Sequence, residues 1–445
     1  MELVGCAPQC GRSRPAVRYA TDGQIHRLRR AHDPQIAKDG PTLAGIIMIA
    51  FRNRLFDGQL LRTIGHGTYA GAELGECLAT AGRVIDGDRE SWHGAWMSLA
   101  DRTFAAAESS AAHGHRESAR CAFLRASNYY RNAFVFHLEA PLPALVRGAY
   151  RRQCEAFRRA AAEMIRPPNQ VGIPFESVTL PGYFCAVDET RRPLIISVGG
   201  YDSTAEESFF WNGAAALSRG YHALIFDGPG QGQLLIEQDV HFRPDWEKVI
   251  SSVIDWAMHR NDVDGSKIVL IGESWGGYLA PRAAAFDRRV ALCVLDPAQI
   301  GLFRVMLSRL PLPVGLKRQL PDGPRWLVML LQALMARMAR QPTAGWSLRR
   351  GMLTHGMDTP WDYFVDATRY EQEPLIGDIA CPTLVCDAES DDISANSKAF
   401  FELLRCEKDY LRFTSAEGSG EHCVSGNRSL FHEQVFNWLD AHISR

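Results

Sequence analysis

Residues 267–277 read Lys267-Ile268-Val269-Leu270-Ile271-Gly272-Glu273-Ser274-Trp275-Gly276-Gly277, and Ala-rich sequence from Tyr278 to Phe286 follows. A β-branched run that breaks at glycine and resumes as a helix former reads as strand, tight turn and helix. Small residues two places before and two after Ser274 permit a strained turn that lifts its hydroxyl above a sheet, at a helix N-terminus. A bare G-x-S-x-G is frequent by chance. The strand before it and the helix after it favour a nucleophilic serine over a plain structural turn.

The same strand-and-helix rhythm extends to both sides. Short β-branched runs recur at Leu194 to Val198, His222 to Phe226, Ala291 to Leu295, Thr383 to Cys386 and Tyr410 to Phe413, with helix-like sequence between most of them. That alternation predicts a parallel sheet wrapped by helices, an α/β chain. Ser177 to Asp188 is expected to open the sheet as a hairpin turning at Leu180-Pro181-Gly182. Between the runs at 291 and 383 lie about 90 residues where a βαβ connection needs only ~30, so 298–375 reads as an inserted helical lid. Residues 42–165 read as helical, with breaks at glycines such as Gly65 and Gly114. Arg166-Pro167-Pro168-Asn169 marks a boundary, because consecutive prolines suit neither helix nor central strand.

Composition narrows the function classes. The 445 residues are 46% hydrophobic and 22% charged with a formal net charge of −2, which suits a folded globular chain and not a disordered one. A charge so near zero gives no support for a nucleic-acid or membrane partner. Apolar runs such as Leu43 to Phe51 and Trp326 to Leu331 fall well short of the roughly 20 residues a bilayer needs. Residues 1–41 are Arg-rich, lack a signal-peptide core and read as a poorly ordered leader. The 11 cysteines are odd in number and form no C-x-x-C pair, so neither a disulfide framework nor a zinc site is indicated and a cytoplasmic location fits best.

A serine hydroxyl becomes a nucleophile when a base takes its proton and an acid orients that base. After Ser274 the acid and then the histidine should follow, each beyond a late strand. Cys386-Asp387-Ala388-Glu389-Ser390-Asp391-Asp392 supplies the acid: Asp391 by position, Asp392 as second choice, with Asp387 and Glu389 supporting the turn. His422, in the Gly-rich loop Glu417-Gly418-Ser419-Gly420-Glu421-His422-Cys423, supplies the base. His432 and His442 fall within the closing helix and read as surface or packing residues. Val198-Gly199-Gly200-Tyr201-Asp202 follows another strand, and its backbone amides can join that of Trp275 in an oxyanion hole; Tyr201 is the first choice and Gly200 the alternative. Asp227-Gly228-Pro229-Gly230-Gln231-Gly232 has neither spacing of a phosphate cradle and reads as a tight loop bordering the site. His432-Glu433 lacks the second histidine of a zinc protease.

Gly199-Gly200-Tyr201-Asp202-Ser203 with Glu206-Glu207, Asp227 to Gly232, Gly272 to Gly277 and Glu421-His422-Cys423 together resemble one branch of the α/β hydrolases. That branch holds 2,6-dihydroxypseudooxynicotine hydrolase and the fungal enzymes that shorten polyketide pigment precursors. The resemblance spans roughly residues 45–442, with Asp86 to Trp92 and Arg125 to Arg131 similar to the branch's helical cap. It implies an α/β-hydrolase fold, a mostly parallel sheet flanked by helices, with a cap domain at 42–170 and a catalytic domain at 171–445 carrying the lid. It also implies hydrolysis of a carbon–carbon bond beside a ketone, without metal or organic cofactor, and a homodimer formed through the cap. By the same resemblance Asp202 matches an assisting acid; capping the next helix is its alternative role. Arg125, Tyr129, Tyr130 and Arg131 are substrate-facing candidates, of which helical spacing lets only one or two point the same way. Trp275 is expected beside an aromatic-accepting pocket. Because the nucleophile and its partners do not specify a leaving group, an esterase, thioesterase, amidase, acyl transferase or cyclase is the rival reading. A non-catalytic binding protein is the remote one.

Overall fold

The computed structural model describes residues 48–342 and 345–443. The Arg-rich leader at 1–41 lies outside the described residues. The described residues form one compact unit.

The N-terminal helices are α1 (Arg54–Gly65), α2 (Leu74–Ala81), α3 (Arg89–Ala112), α4 (Arg116–Phe134) and α5 (Ala144–Ala162). Asn53 caps α1 and Asp88 caps α3 through side-chain oxygens that accept the first free amides. Gly65 ends α1, and Gly114 lies between α3 and α4. Their shared core is aromatic: Phe56 stacks on Phe136 at 4.4 Å, and Trp92 packs against both.

After the proline pair comes an eight-stranded sheet in the order β1-β2-β4-β3-β5-β6-β7-β8. The strands are β1 (Asn169–Phe175), β2 (Val178–Cys185), β3 (Arg192–Val198), β4 (His222–Phe226), β5 (Val263–Glu273), β6 (Val290–Asp296), β7 (Thr383–Ala388) and β8 (Lys408–Phe413). β1 pairs with β2 and β2 with β4 antiparallel; from β4 through β3, β5, β6 and β7 to β8 every pairing is parallel. Every β-branched run buries both faces except that of β8, where only Phe413 is buried. Leu194, Ile196, Ile268 and Leu270 pack on the side of helices Glu247–Met258 and Gly276–Phe286. Ile195, Ile225, Val269 and Ile271 pack on the side of the closing helix Arg428–Ile443. Burial on both sides explains why these strands read as continuous apolar runs.

The opening hairpin turns elsewhere than expected. Its bend is at Glu176-Ser177, with Glu176 at φ +49°, and Leu180-Pro181-Gly182 lies inside β2. Proline is tolerated there because its carbonyl still accepts the Asp227 amide at 2.9 Å, so the ladder loses a donor and keeps an acceptor.

The connection from β6 to β7 is helical, with segments Leu302–Arg309, Val314–Lys317, Arg325–Ala339, Trp346–His355 and Pro360–Asp366. No described helix is long and apolar enough to cross a membrane.

Candidate active site

Ser274 sits between β5 and helix Gly276–Phe286 at φ +54°, a conformation a non-glycine residue holds only under strain. Neighbouring backbone holds the turn so closely that its glycines are obligatory. A Cβ on Gly276 would lie 1.9 Å from the Val198 carbonyl oxygen, and one on Gly277 1.8 Å from that of Pro297. The Ser274 amide donates to the Asp296 carbonyl at 2.7 Å, and the Gln299 side chain donates to the Ser274 carbonyl.

The expected partners meet at this turn. His422 Nε2 lies 2.9 Å from Ser274 Oγ, and His422 Nδ1 lies 2.7 Å from Asp391 Oδ2. Asp391 is buried and accepts the Ile393 amide at 2.9 Å, which fixes the carboxylate toward the imidazole. Asp392 is exposed. Asp387 takes a hydrogen bond from Tyr410 and Glu389 one from the Ser415 amide, as supports of the strand and turn. Burial pulls the His422 pKa down, but the Asp391 carboxylate more than reverses it and sets the imidazole well above 6.5. Cys423 Sγ lies 3.4 Å from the same Nε2, and burial pushes that thiol up to about 11, so it is neutral at ordinary pH.

Gly200 carries a correction. Its amide donates to Ser203 Oγ at 2.7 Å and is spent, which leaves the amides of Tyr201 and Trp275 as the candidate oxyanion donors. What Gly200 contributes is proximity: a Cβ there would lie 2.8 Å from Ser274 Cβ and 3.1 Å from both Ser274 Oγ and the Trp275 nitrogen. Gln231 holds this loop from behind, donating to the Gly199 and Gly200 carbonyls at 2.6 and 3.1 Å, so the 227–232 turn does border the site. Trp275 is buried and stacks flat on Tyr278 at 4.4 Å; its ring fills core instead of lining a binding pocket.

Tyr201 is tied to the insertion. Its hydroxyl meets His355 Nε2 at 2.8 Å and the Tyr363 hydroxyl at 3.2 Å, while His355 Nδ1 meets Asp366 at 2.8 Å. Burial lowers the His355 pKa despite Asp366. With Nδ1–H donating to Asp366, the neutral ring accepts from Tyr201 at Nε2.

Asp202 is placed differently from either expected role. Three guanidinium groups surround it: Arg62 and Arg131 at 3.2 Å and Arg350 at 3.4 Å. Burial alone would raise its pKa, but these cations hold it far below the ordinary carboxylate range, so it has no proton to give. Thr204, not Asp202, caps the following helical turn. Glu207 binds Arg62 at 2.6 Å, Arg131 at 3.1 Å and His66 at 3.1 Å. Of the four residues singled out on α4, only Arg131 reaches this cluster. The Tyr129 hydroxyl donates to Glu76, that of Tyr130 to Asp101, and Arg125 pairs with Glu76, all within the N-terminal helices. Arg62 and Arg350 escaped notice because each belongs to no motif; Glu206-Glu207 was the available signal.

Arg428 escaped notice too, and it binds both halves of the site. Its guanidinium, almost wholly buried, reaches Asp296 at 3.1 Å, Glu273 at 3.3 Å and the Cys423 carbonyl at 2.9 Å. Glu273 and Cys423 are the neighbours of Ser274 and His422. Burial pushes Glu273 up to about 8 and Asp296 up to about 6, with Arg428 opposing both shifts. Arg428→Met is expected to destabilise the fold by about 3–5 kcal/mol at pH 8, because it strands carboxylates in the interior. Both carboxyls already bind protons more tightly folded than unfolded, and losing the cation strengthens that preference. The loss should therefore shrink at pH 5, where both are protonated, and grow as pH rises. Urea unfolding of both proteins at the two pH values measures it, and a difference independent of pH would contradict this electrostatic account.

A profile of the alpha/beta hydrolase family matches residues 194–429, the span from β3 to the start of the closing helix. The chain belongs to the alpha/beta hydrolase family. Among the relatives of this hydrolase is 20-hydroxy-prefusarin hydrolase FUS2 of Gibberella moniliformis, 34% identical over an alignment of 420 positions that covers 88% of this chain and 97% of the relative. The hydrolyase poxO of Penicillium oxalicum is 30% identical over an alignment of 427 positions that covers 88% of this chain and 98% of that one. In structure the chain is similar to 2,6-dihydroxy-pseudo-oxynicotine hydrolase, with a TM-score of 0.68 at 22% identity over 85% of this chain and 95% of that one. As an alpha/beta hydrolase with hydrolase relatives over nearly its whole length, the chain is an enzyme.

Proposed function

We propose that this alpha/beta hydrolase cleaves a carbon–carbon bond beside a ketone in a polyketide-like or aryl ketone metabolite, with Ser274, His422 and Asp391 as its catalytic residues. The hydrogen-bonded series from Asp391 through His422 to Ser274 carries the reading. His422 Nε2 takes the Ser274 proton as Oγ attacks the carbonyl carbon, and the amides of Tyr201 and Trp275 receive the oxyanion. The C–C bond then breaks with its electron pair on the leaving carbon, a stabilised enolate that His422 protonates. Water, activated by the same imidazole, releases the acyl group from Ser274. The resemblance to the ketone-cleaving branch and the fungal relatives support the choice of bond and substrate class. No step calls for a metal or organic cofactor.

A second reading, ester or thioester hydrolysis, draws on one observation. The acid expected to assist C–C cleavage, Asp202, is locked among three arginines, so His422 must protonate the leaving group alone. That is easier for an alkoxide or thiolate than for a carbanion. Matched aryl β-diketone and aryl ester substrates, with products identified by mass, separate the two. Cleavage of the diketone into acid and ketone is the expected result; ester cleavage alone would move the assignment to the second reading.

A further inference from the structure

The formal charge of −2 conceals a segregation. Between residues 302 and 342 the sequence holds seven Lys and Arg and a single acid, Asp322. Helix Arg325–Ala339 belongs to this stretch and buries Leu327, Leu331 and Met335 against Phe364. A second, outward face is apolar as well. Trp326 is 60% exposed, Met329 58%, Leu330 57% and Leu334 39%, at a spacing that aligns them in one outward stripe. Arg325 stands at one end of the stripe and Arg337 and Arg340 at the other, all exposed. A folded monomer rarely leaves such a contiguous stripe in water without a use for it. Large apolar side chains along a helix that lies flat, with guanidinium groups able to reach sideways, suit the boundary between lipid tails and anionic headgroups.

We propose that helix Arg325–Ala339 docks this enzyme on a membrane surface bearing anionic lipids. Trp326, Met329, Leu330 and Leu334 enter the headgroup boundary, and Arg325, Arg337 and Arg340 pair with the lipid anions. A second copy of the chain is the poorer occupant. A two-fold interface would set this patch against itself and bring its excess of like charges together, whereas an anionic surface complements it. The same insertion carries Arg350 and His355, which touch Asp202 and Tyr201, so docking places it where apolar substrates partition. The docking itself needs nothing from the catalytic reading.

Flotation of the full chain with vesicles tests it. Phosphatidylcholine vesicles containing about 30% phosphatidylserine are expected to capture about tenfold more protein than phosphatidylcholine alone at low salt, and less as salt rises. Trp326→Ser combined with Leu330→Ser should abolish capture at unchanged melting temperature. Arg337→Glu with Arg340→Glu should remove the preference for the anionic vesicles. The proposal is overturned if the wild type binds neither vesicle, or if the serine pair leaves capture intact. It is likewise overturned if sedimentation shows a dimer that the serine pair disperses while vesicles capture nothing, the result a second copy would give.

Discussion

Ser274→Ala is expected to lower kcat by about 10⁶-fold while leaving the melting temperature unchanged. Alanine keeps the Cβ that the φ +54° turn already accommodates, so the strand, the turn and helix Gly276–Phe286 should persist. What disappears is the one hydroxyl within reach of His422 Nε2 among the described residues. The nearest substitute, the Cys423 thiol, is buried and held up to about 11, and so offers almost no thiolate at neutral pH. Single-turnover kinetics on the better of the two substrate classes measures the loss. A fluorophosphonate probe followed by mass mapping supplies the companion result, one adduct on Ser274 in the wild type and none in the variant. A variant retaining even about a hundredth of the rate would mean that another residue attacks the substrate.

Asp391→Asn should lower kcat by about 10⁴-fold and shift the pH profile in a stated direction. His422 must be neutral to accept the serine proton, so activity rises with pH through the imidazole pKa. Burial lowers that pKa and Asp391 does most to raise it well above 6.5, so removing the carboxylate takes away the strongest opposition to burial. The acid limb of kcat/KM is therefore expected to move to lower pH in the variant, although the maximum falls. Asp392→Asn, at an exposed position, should leave both rate and limb where they are. A limb that stays in place in Asp391→Asn would show that another group governs the imidazole.

Much of the sheet was legible because its strands bury both faces, which leaves short apolar runs bounded by breakers. β4 coincides with the expected run at 222–226, and β5 with the run at 267–271 extended at both ends. Where burial is one-sided the signal fades. β1 reads Asn169-Gln170-Val171-Gly172-Ile173-Pro174-Phe175 at the sheet's edge and gave no apolar run, while Pro181 inside β2 was mistaken for a turn. Ser274, Asp391 and His422 were legible because each ends a strand or sits in the loop beyond it, a position that chain order alone can specify. The arginines were not. Arg62, Arg131 and Arg350 converge on Asp202 from α1, α4 and the insertion, and nothing local marks a guanidinium whose partner lies 140 residues away, as Asp202 does from Arg62. Tyr129 and Tyr130 failed for the converse reason: a motif shared with relatives carried them into the site on paper, while their hydroxyls serve Glu76 and Asp101.

Tyr201 ties the surroundings of the nucleophile to the β6–β7 connection, as the neighbouring Asp202 does through Arg350. Its amide is a proposed oxyanion donor, and its hydroxyl is held by His355 and Tyr363 of the β6–β7 connection. If the Tyr201 amide serves the oxyanion as proposed, a displacement of that connection drags at it, and reactivity becomes conditional on a distant element being seated. Such a coupling acts as an interlock: a small ester diffusing into an enzyme whose insertion is lifted meets a serine with half of its electrophilic support withdrawn. Selectivity would then arise from which molecules bring the insertion home, and the shape of the cavity around the scissile bond would matter less.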